Sequence, residues 1–429
     1  MLTNKLGNLF KGDKVIWMIF FILAIVSIVE VYSASSQLSY KKGNYISPIL
    51  WHSIYLLVGV VVMIVTLQIR PRYFKVITAF MVIASIIMLI WATFFGERAN
   101  DASRWIIILG IKFQPSEIAK GALVLATAKI LSDMQTETGC DKRAIKYIGI
   151  ICFFIIGLIM LENLSTAIIL CAVVYMMMIV GRVPASQLGK IMGVCLLGVV
   201  LIVFMVMALG KEETPTTADE AAQTELVAEN VDTQNNQKSS GLLHRFGTWK
   251  GRIKKFTKSI SSDEEIKPED IDLDKDAQVA YANIAIATSN IIGKGPGNSV
   301  ECDFLSQAFS DFIYAIIIEE LGLLGAFIIA ALYIILLFRA GHIANNCENS
   351  FPAYVVMGLA LLMVTQALFN MGVAVGLAPV TGQPLPLVSR GGTSNIITCF
   401  YFGMMLSISR FTKKRNAEKK EIVAEEVTD

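Results

Sequence analysis

Three carboxylates fall where one apolar run begins. Glu301–Gly325 reads ECDFLSQAFSDFIYAIIIEELGLLG, with Asp311 at the head of a stretch long enough to cross a membrane and Glu319 and Glu320 inside it. A carboxylate in hydrocarbon is costly, so such residues face a protein interior or a wet cavity and mark function. On a helix Glu319 lies about 12 Å deeper than Asp311 and is turned from it by about 80°, and Glu320 is turned by about 180°. The three acids therefore cannot share one narrow face. Asp311 is read as the chemical group, a base for a hydroxyl nucleophile, and Glu319 and Glu320 as internal structural partners. Structural ion pairing by all three is the competing reading.

Cations and helix starts supply the complementary half of a site. Arg104 and Arg390 stand in polar connectors, and Lys120 lies one turn into an apolar block that begins at Pro115. Glu117 and Lys120 are three apart and can neutralise one another inside a membrane. Ser389, Gly391 and Gly392 flank Arg390, and the glycines let backbone approach a ligand closely. Pro379, Pro384 and Pro386 stiffen the same connector, as in a re-entrant segment buried in protein. Pro115 suits a first helical turn, Ser310 can cap the helix after Asp311, and Thr393 or Ser394 the last helix. Each start offers free N–H groups and the positive end of a helix dipole. Converging, they make a site for an anion, phosphate above all. A leaving diphosphate would be stabilised by Arg and Lys or by a divalent cation such as Mg2+ or Mn2+. The metal itself is unknown. For either Arg alone, an interfacial anchor that snorkels is an equal reading.

The elements that must position these groups are membrane helices. The chain has 429 residues, 55% of them hydrophobic and 17% charged, with mean hydropathy +0.60, whereas a soluble chain carries nearer a quarter charged. Apolar blocks begin near residues 15, 51, 74, 115, 147, 167, 191, 311, 354 and 394. The expected fold is an all-α polytopic membrane protein of roughly ten transmembrane helices, forming one domain over residues 1–429. The block at 15–35 exceeds a signal-peptide core and is expected to be a retained helix. Lys and Arg concentrate before the first block, in RPRYFK, GCDKRAIK and GRVPASQLGK, and in the tail at 410–429. Both termini are then cytoplasmic. That parity puts the stretch around Arg104, a long loop at 210–307 and the loop GLAPVTGQPLPLVSRGGTS together on the outer side.

Within the long loop, 211–241 is polar and expected to be disordered. LLHRFGTWKGRIKKFTKSI is basic with interleaved apolar residues, suited to a membrane surface or to plain solvation. DAQVAYANIAIATSNIIGKGPGNS reads as a short amphipathic helix and a Gly-rich turn. GKGPGN is a weak phosphate-loop signal and lacks the Walker order. Seven cysteines without CxxC and only three His argue against a disulfide framework or a His-rich metal site. Nothing points to nucleic acid.

Three motifs in this order and spacing carry a resemblance. RWIIILGIKFQPSEIAK (104–120), SDFIYAIIIEELGLLG (310–325) and GQPLPLVSRGGTS (382–394), with the weaker GKGPGNS, resemble the SEDS family (shape, elongation, division and sporulation), of FtsW and RodA type. KGDKVIW and SRGGTS lean to the division branch. The resemblance implies an inverting peptidoglycan glycosyltransferase of the cytoplasmic membrane. It would polymerise lipid II, release undecaprenyl diphosphate, and work with a class B penicillin-binding protein and other divisome proteins. It puts the catalytic acid on Asp311, the fourth-helix Glu and Lys on Glu117 and Lys120, and the loop arginine on Arg104. Departures are Ser306, Gln307 and Phe309 where the family often has Pro, Glu and His, Asn163 for Asp, and Arg390 for Tyr. A lipid II flippase and a non-enzymatic scaffold are the other readings. A flippase needs charges continuing to the cytoplasmic side, and a scaffold would tolerate loss of Asp311.

Overall fold

The structure, a computed structural model, describes residues 11–34, 47–99, 102–108, 111–137, 139–209, 251, 277–305 and 308–428. The expected disorder at 211–241 lies outside them. So do the basic amphipathic segment, Gly251 apart, and the departures Ser306 and Gln307. Eleven α-helices appear among the described residues. They are α1 (Lys14–Ser33), α2 (Ser47–Gln68), α3 (Pro71–Phe95), α4 (Pro115–Asp133), α5 (Arg143–Glu162), α6 (Leu164–Val180), α7 (Ala185–Leu209), the short α8 (Ala277–Ala287), α9 (Ile313–Asn345), α10 (Ser350–Ala374) and α11 (Thr393–Thr428). All but α8 coincide with an expected apolar block. Six of them (α1, α2, α3, α5, α9 and α10) are long and apolar enough to cross a membrane. Exposed aromatic residues such as Phe80 and Phe94 stud their outer faces, so the chain is a multi-pass membrane protein.

Residues Met1–Leu188 with Ile271–Asp429 form one compact unit, and Gly189–Asp270 form another that holds most of α7. In the first unit, α2 packs on α11 and α9 on α10. Small residues permit the first contact. A Cβ on Gly403 would lie 2.8 Å from Thr66 Cβ, and one on Gly59 2.6 Å from Cys399 Sγ. In a membrane such close backbone approach, rather than hydrophobic exclusion, holds helices together.

Two departures from the hydropathy reading matter. The polar stretch after α3 is a three-stranded antiparallel meander, β1 (Glu97–Ala99), β2 (Ala102–Ile108) and β3 (Ile111–Phe113), with Ile106 opposite Phe113 and Ile108 opposite Ile111. A minor hairpin, β4 (Gln135–Thr136) and β5 (Gly139–Cys140), follows α4. Second, α9 is broken at Gly322, which sits at φ 71°, where a side chain is strained. The segment 290–295 enters the break: Lys294 N donates to Glu319 O (3.0 Å), Gly295 N to Glu320 O (2.8 Å) and Leu324 N to Ile291 O (3.2 Å). A Cβ on Gly322 would come within 2.3 Å of Ile291 O. Asp311 lies in the turns before α9 begins at Ile313, so the ideal-helix angles between it and the two glutamates do not apply. Glu319 pairs with Lys294 Nζ at 2.6 Å and accepts from Ser299 Oγ. Glu320 accepts from Ser299 N at 3.3 Å and from the Ser33 hydroxyl. Thus both acids grip the Gly-rich turn from one side. GKGPGN is a helix clasp here, not a phosphate loop.

At the other end of the bundle one carboxylate ties three helices. Asp13 caps α1, accepting from Val15 N (2.9 Å) and Ile16 N (3.3 Å). It also accepts from Arg339 Nε (2.9 Å) and Nη2 (2.7 Å) of α9 and lies 3.2 Å from Lys413 Nζ of α11. Burial works to raise its pKa, but the hydrogen bonds and charges of Arg339 and Lys413 outweigh it and hold the carboxyl at about 2. A carboxyl depressed in the fold stabilises at pH above its ordinary value near 4, and that contribution disappears as pH falls through about 2. The difference corresponds to about 2 kcal/mol once the half-exposed Lys413 is discounted. Asp13→Asn is therefore expected to lower the melting temperature in detergent at pH 7, with the gap to wild type shrinking steadily below pH 4. An equal gap at pH 3 and pH 7 would contradict this account.

Candidate active site

The connector between α10 and α11, residues 376–392, is irregular backbone deep in a helical bundle. Leu385, Leu387, Val388 and Ser389 are all 1% exposed or less. Away from water every carbonyl there needs an internal partner, and side chains of the surrounding helices provide them. Asn370 Nδ2 donates to Gln383 O (2.7 Å), Gln366 Nε2 to Pro384 O (3.1 Å) and Tyr333 OH to Pro386 O (2.6 Å). Ser27 Oγ donates to Val388 O (2.8 Å) with His52 Nε2 behind it at 2.8 Å, and Asn395 Nδ2 to Ser389 O (3.1 Å). Between the Tyr333 and Ser27 bonds, Leu387 is held at φ 69°, a conformation costly for a residue with a Cβ.

This pinned loop clasps the segment that carries Asp311. Ser389 Oγ donates to Ser310 O (2.6 Å) while accepting from Leu385 N (2.8 Å), and Arg390 N donates to Phe309 O (2.9 Å). The Arg390 guanidinium lies over the Phe309 ring, 5.2 Å from its centroid. Partial burial pushes its pKa down, yet a guanidinium stays charged. Asn370 Nδ2 also donates to Asp311 O at 2.9 Å. Asp311 is half-buried, and its Oδ1 accepts from Ser310 Oγ at 3.0 Å. Ser310 is thus a partner of the acid rather than a helix cap; Phe312 holds the cap position of α9 without a side-chain bond.

The third helix start joins through Thr393, whose Oγ1 donates to Lys112 O (3.2 Å) in the strand before α4. Pro115 occupies the first turn of α4 as expected. Arg104 lies in β2 of the same meander. Lys120 is 1% exposed, bonded to Glu117 (2.8 Å) and Gln366 Oε1 (2.9 Å), and Tyr401 OH secures Glu117 O at 2.6 Å. The expected pairing of Glu117 with Lys120 is present. Lys120 thereby faces the interior, one bond from the residue that holds Pro384. Ser389, expected to touch ligand, has no exposure and uses its hydroxyl within the loop clasp. Gly391 and Gly392 remain half-buried beside Arg390, and Gly392 takes φ 51°. Among the described residues no three His, Cys, Asp or Glu side chains gather at one point.

With this geometry in view, the comparison with known proteins is decisive for family. Residues 13–414 match the family FTSW_RODA_SPOVE, described as cell cycle protein. The chain belongs to that family. Among relatives of the FTSW_RODA_SPOVE chain, the protein named probable peptidoglycan glycosyltransferase FtsW of Geobacter metallireducens is 28% identical over 412 residues, 94% of this chain and 96% of the relative. The Escherichia coli K12 protein named peptidoglycan glycosyltransferase MrdB is 26% identical over 405 residues, 94% of each. The solved structure of the rod shape determining protein RodA from Thermus thermophilus has the same fold, with TM-score 0.61 at 20% identity, covering 94% of this chain and 98% of RodA. A peptidoglycan synthase complex, whose structure addresses coordination of polymerization and crosslinking, contains a chain with TM-score 0.65 at 21% identity, covering 94% and 98%.

Gln366, Asn370, Tyr333, Ser27 and His52 were not singled out by the sequence reading. The available signal was polarity in the wrong place. Gln366 and Asn370 are four apart in an apolar helix and so share a face. The loop clasp makes a sharp prediction. Tyr333→Phe strands a buried carbonyl at Pro386, a loss of about 1–3 kcal/mol. In a Leu387→Gly background the left-handed turn no longer needs to be enforced, so the same change should cost less. Melting of the four proteins in one detergent measures the coupling. Strict additivity would mean that Tyr333 does not hold the strained turn.

Proposed function

We propose that this protein is a peptidoglycan glycosyltransferase that polymerises lipid II at the outer face of the cytoplasmic membrane. Its roughly ten spans would leave both termini cytoplasmic. The observation that carries the reading is the clasp of Ser389 and Arg390 on the Asp311 segment, in a family whose relatives bear that enzyme's name. It joins a half-buried carboxylate, a charged guanidinium and the starts of α9 and α11 at one spot. A lipid-linked sugar diphosphate suits such a place, because the anion meets cations and helix starts while its lipid stays against the bundle.

In this mechanism Asp311 takes the proton of the acceptor sugar's hydroxyl. That oxygen forms a bond to C1 of the donor sugar from the face opposite the diphosphate. The C1–oxygen bond breaks with inversion, and the electron pair leaves on undecaprenyl diphosphate. Arg390 and Arg104 steady the departing charge, and Gly391 and Gly392 let backbone N–H groups approach it. A divalent cation such as Mg2+ or Mn2+ would supply further charge stabilisation for the same diphosphate. Lys120, turned inward, acts with Glu117 on the frame behind the loop. The resemblance to the division branch supports a class B penicillin-binding protein as partner.

Asp311→Asn should lower lipid II polymerisation by purified protein in liposomes by about 10²–10⁴-fold with an unchanged melting temperature. Full-rate polymerisation by a folded Asp311→Asn protein would remove the mechanism. The Glu117 and Lys120 pair separates frame from ligand. Lys120→Met leaves a buried unpaired carboxylate and should cost about 3–5 kcal/mol. The double variant Glu117→Gln with Lys120→Gln should recover both stability and polymerisation. Recovery of stability without activity would assign Lys120 to the substrate after all.

A further inference from the structure

The end of the bundle away from Asp311 holds a second place built for an anion. A cavity of about 750 Å³ is lined by Arg70, Arg72 and Lys75 of the α2–α3 corner, Glu348–Pro352 of the α9–α10 turn, and Arg415 of α11. Its position follows from α10, which runs from the cavity at Ser350 to Asn370 beside the Asp311 carbonyl, a rise of about 30 Å.

Charge in the cavity is lopsided. Four cations and one carboxylate line it. Arg415 is ion-paired with Glu348, and Lys75 with Asp133. That leaves Arg70 and Arg72 without a carboxylate among the described residues. Arg72 lies over the Tyr73 ring, 4.9 Å from its centroid, and donates to the Tyr73 hydroxyl, contacts that leave its charge uncancelled. Two long helices also begin here. The caps of α3 and α10 are Arg70 and Asn349, and neither makes a side-chain capping bond. Asn349 is a residue type that normally would, yet its side chain leaves the N–H groups of Ser350 and Phe351 uncapped at the cavity-lining start of α10, where Pro352 has no N–H to offer. The inner wall is apolar, with Phe351 and Ile408 among its residues. Excess positive charge, two uncapped helix starts and an apolar back wall together describe a receptor for a phosphate on a small organic body. The volume falls within the range of small-molecule sites.

We propose that this cavity binds a phosphate group, presented by an anionic lipid headgroup or by a soluble phosphate. It is separate from the Asp311 site and does not depend on the activity assigned there. Arg70 and Arg72 are its main cations, and Arg415 the gatepost that keeps Glu348 neutralised.

The test uses the full-length protein in detergent. Native mass spectrometry follows retention of phosphatidylglycerol against phosphatidylcholine, and melting is compared in inorganic phosphate and in chloride at matched ionic strength. Arg70→Gln with Arg72→Gln should weaken phosphatidylglycerol retention about thirty-fold, since each cation near an anionic surface is worth about a factor of five. Arg70→Lys with Arg72→Lys should retain most of it. Lys142→Gln with Lys146→Gln, at another basic corner, should change nothing. If inorganic phosphate protects the wild type and not the glutamine pair, while the lipids are not discriminated, the source is a soluble phosphate and the site stands. Should the glutamine pair insert poorly, Arg415→Gln reads the same site from another helix, with about a five-fold loss. Glutamine variants that match the Lys142 and Lys146 control in both arms would overturn the proposal.

Discussion

Irregular backbone surrounded by helices must find its hydrogen bonds inside the protein, and that requirement shapes the centre of this molecule. The connector 376–392 gives up helical self-sufficiency to place Arg390 and two glycines beside Asp311. Five of its carbonyls, from Gln383 to Ser389, are taken up by side chains from α1, α9, α10 and α11. A buried carbonyl without such a partner costs about as much as several ordinary contacts contribute. The donors are therefore as much part of the site as the charges are. They also explain why apolar helices tolerate Ser27, Tyr333, Gln366 and Asn370: each donor satisfies an acceptor that the loop cannot satisfy itself.

The same rule governs the break in α9. A helix interrupted at Gly322 exposes carbonyls at Glu319 and Glu320, and the backbone of Lys294 and Gly295 donates to them. The two glutamates then hold the incoming turn through Lys294 and Ser299. Their placement in hydrocarbon, which from composition alone looks expensive, becomes reasonable because a hydrogen-bonded turn accompanies them into the bundle. The segment just before Asp311 is thereby anchored at both ends, by the Gly322 clasp on one side and by Ser389 and Arg390 on the other.

Much of this frame was legible as hydropathy, because an apolar block of membrane length has few alternatives to a helix. All ten blocks became helices, and the convergence of the α4, α9 and α11 starts followed from counting crossings. The meander at 97–113 was missed although its signal was present. WIIILGIKF alternates poorly for a helix, is rich in β-branched residues and carries Leu-Gly where a hairpin would turn. The Gly322 break was not visible, because glycines in membrane helices more often serve close packing than a change of backbone direction. Nor could spacing reveal that Lys120 faces Gln366 or that Ser389 braces Ser310, since both depend on which helices become neighbours.

Charge is divided along the bundle, and the division bears on the surroundings of Asp311. Lys120 lies behind the loop and is neutralised by Glu117, so it adds little field at Asp311 beyond what that pair cancels. The nearby arginine, Arg390, is held over Phe309 by a loop whose shape depends on Tyr333 and Ser27. Arg390 is positioned by its backbone N–H and the Phe309 ring and has no carboxylate partner among the described residues, which keeps its charge available to an incoming anion. Had Asp311 and Arg390 closed a tight mutual ion pair, a diphosphate would have had to break it before binding, at a desolvation cost of several kcal/mol. Fixing Arg390 through its own N–H and the Phe309 ring avoids that penalty. In the proposed reaction the acid and the cation then act on different parts of one substrate, the hydroxyl that loses a proton and the diphosphate that departs.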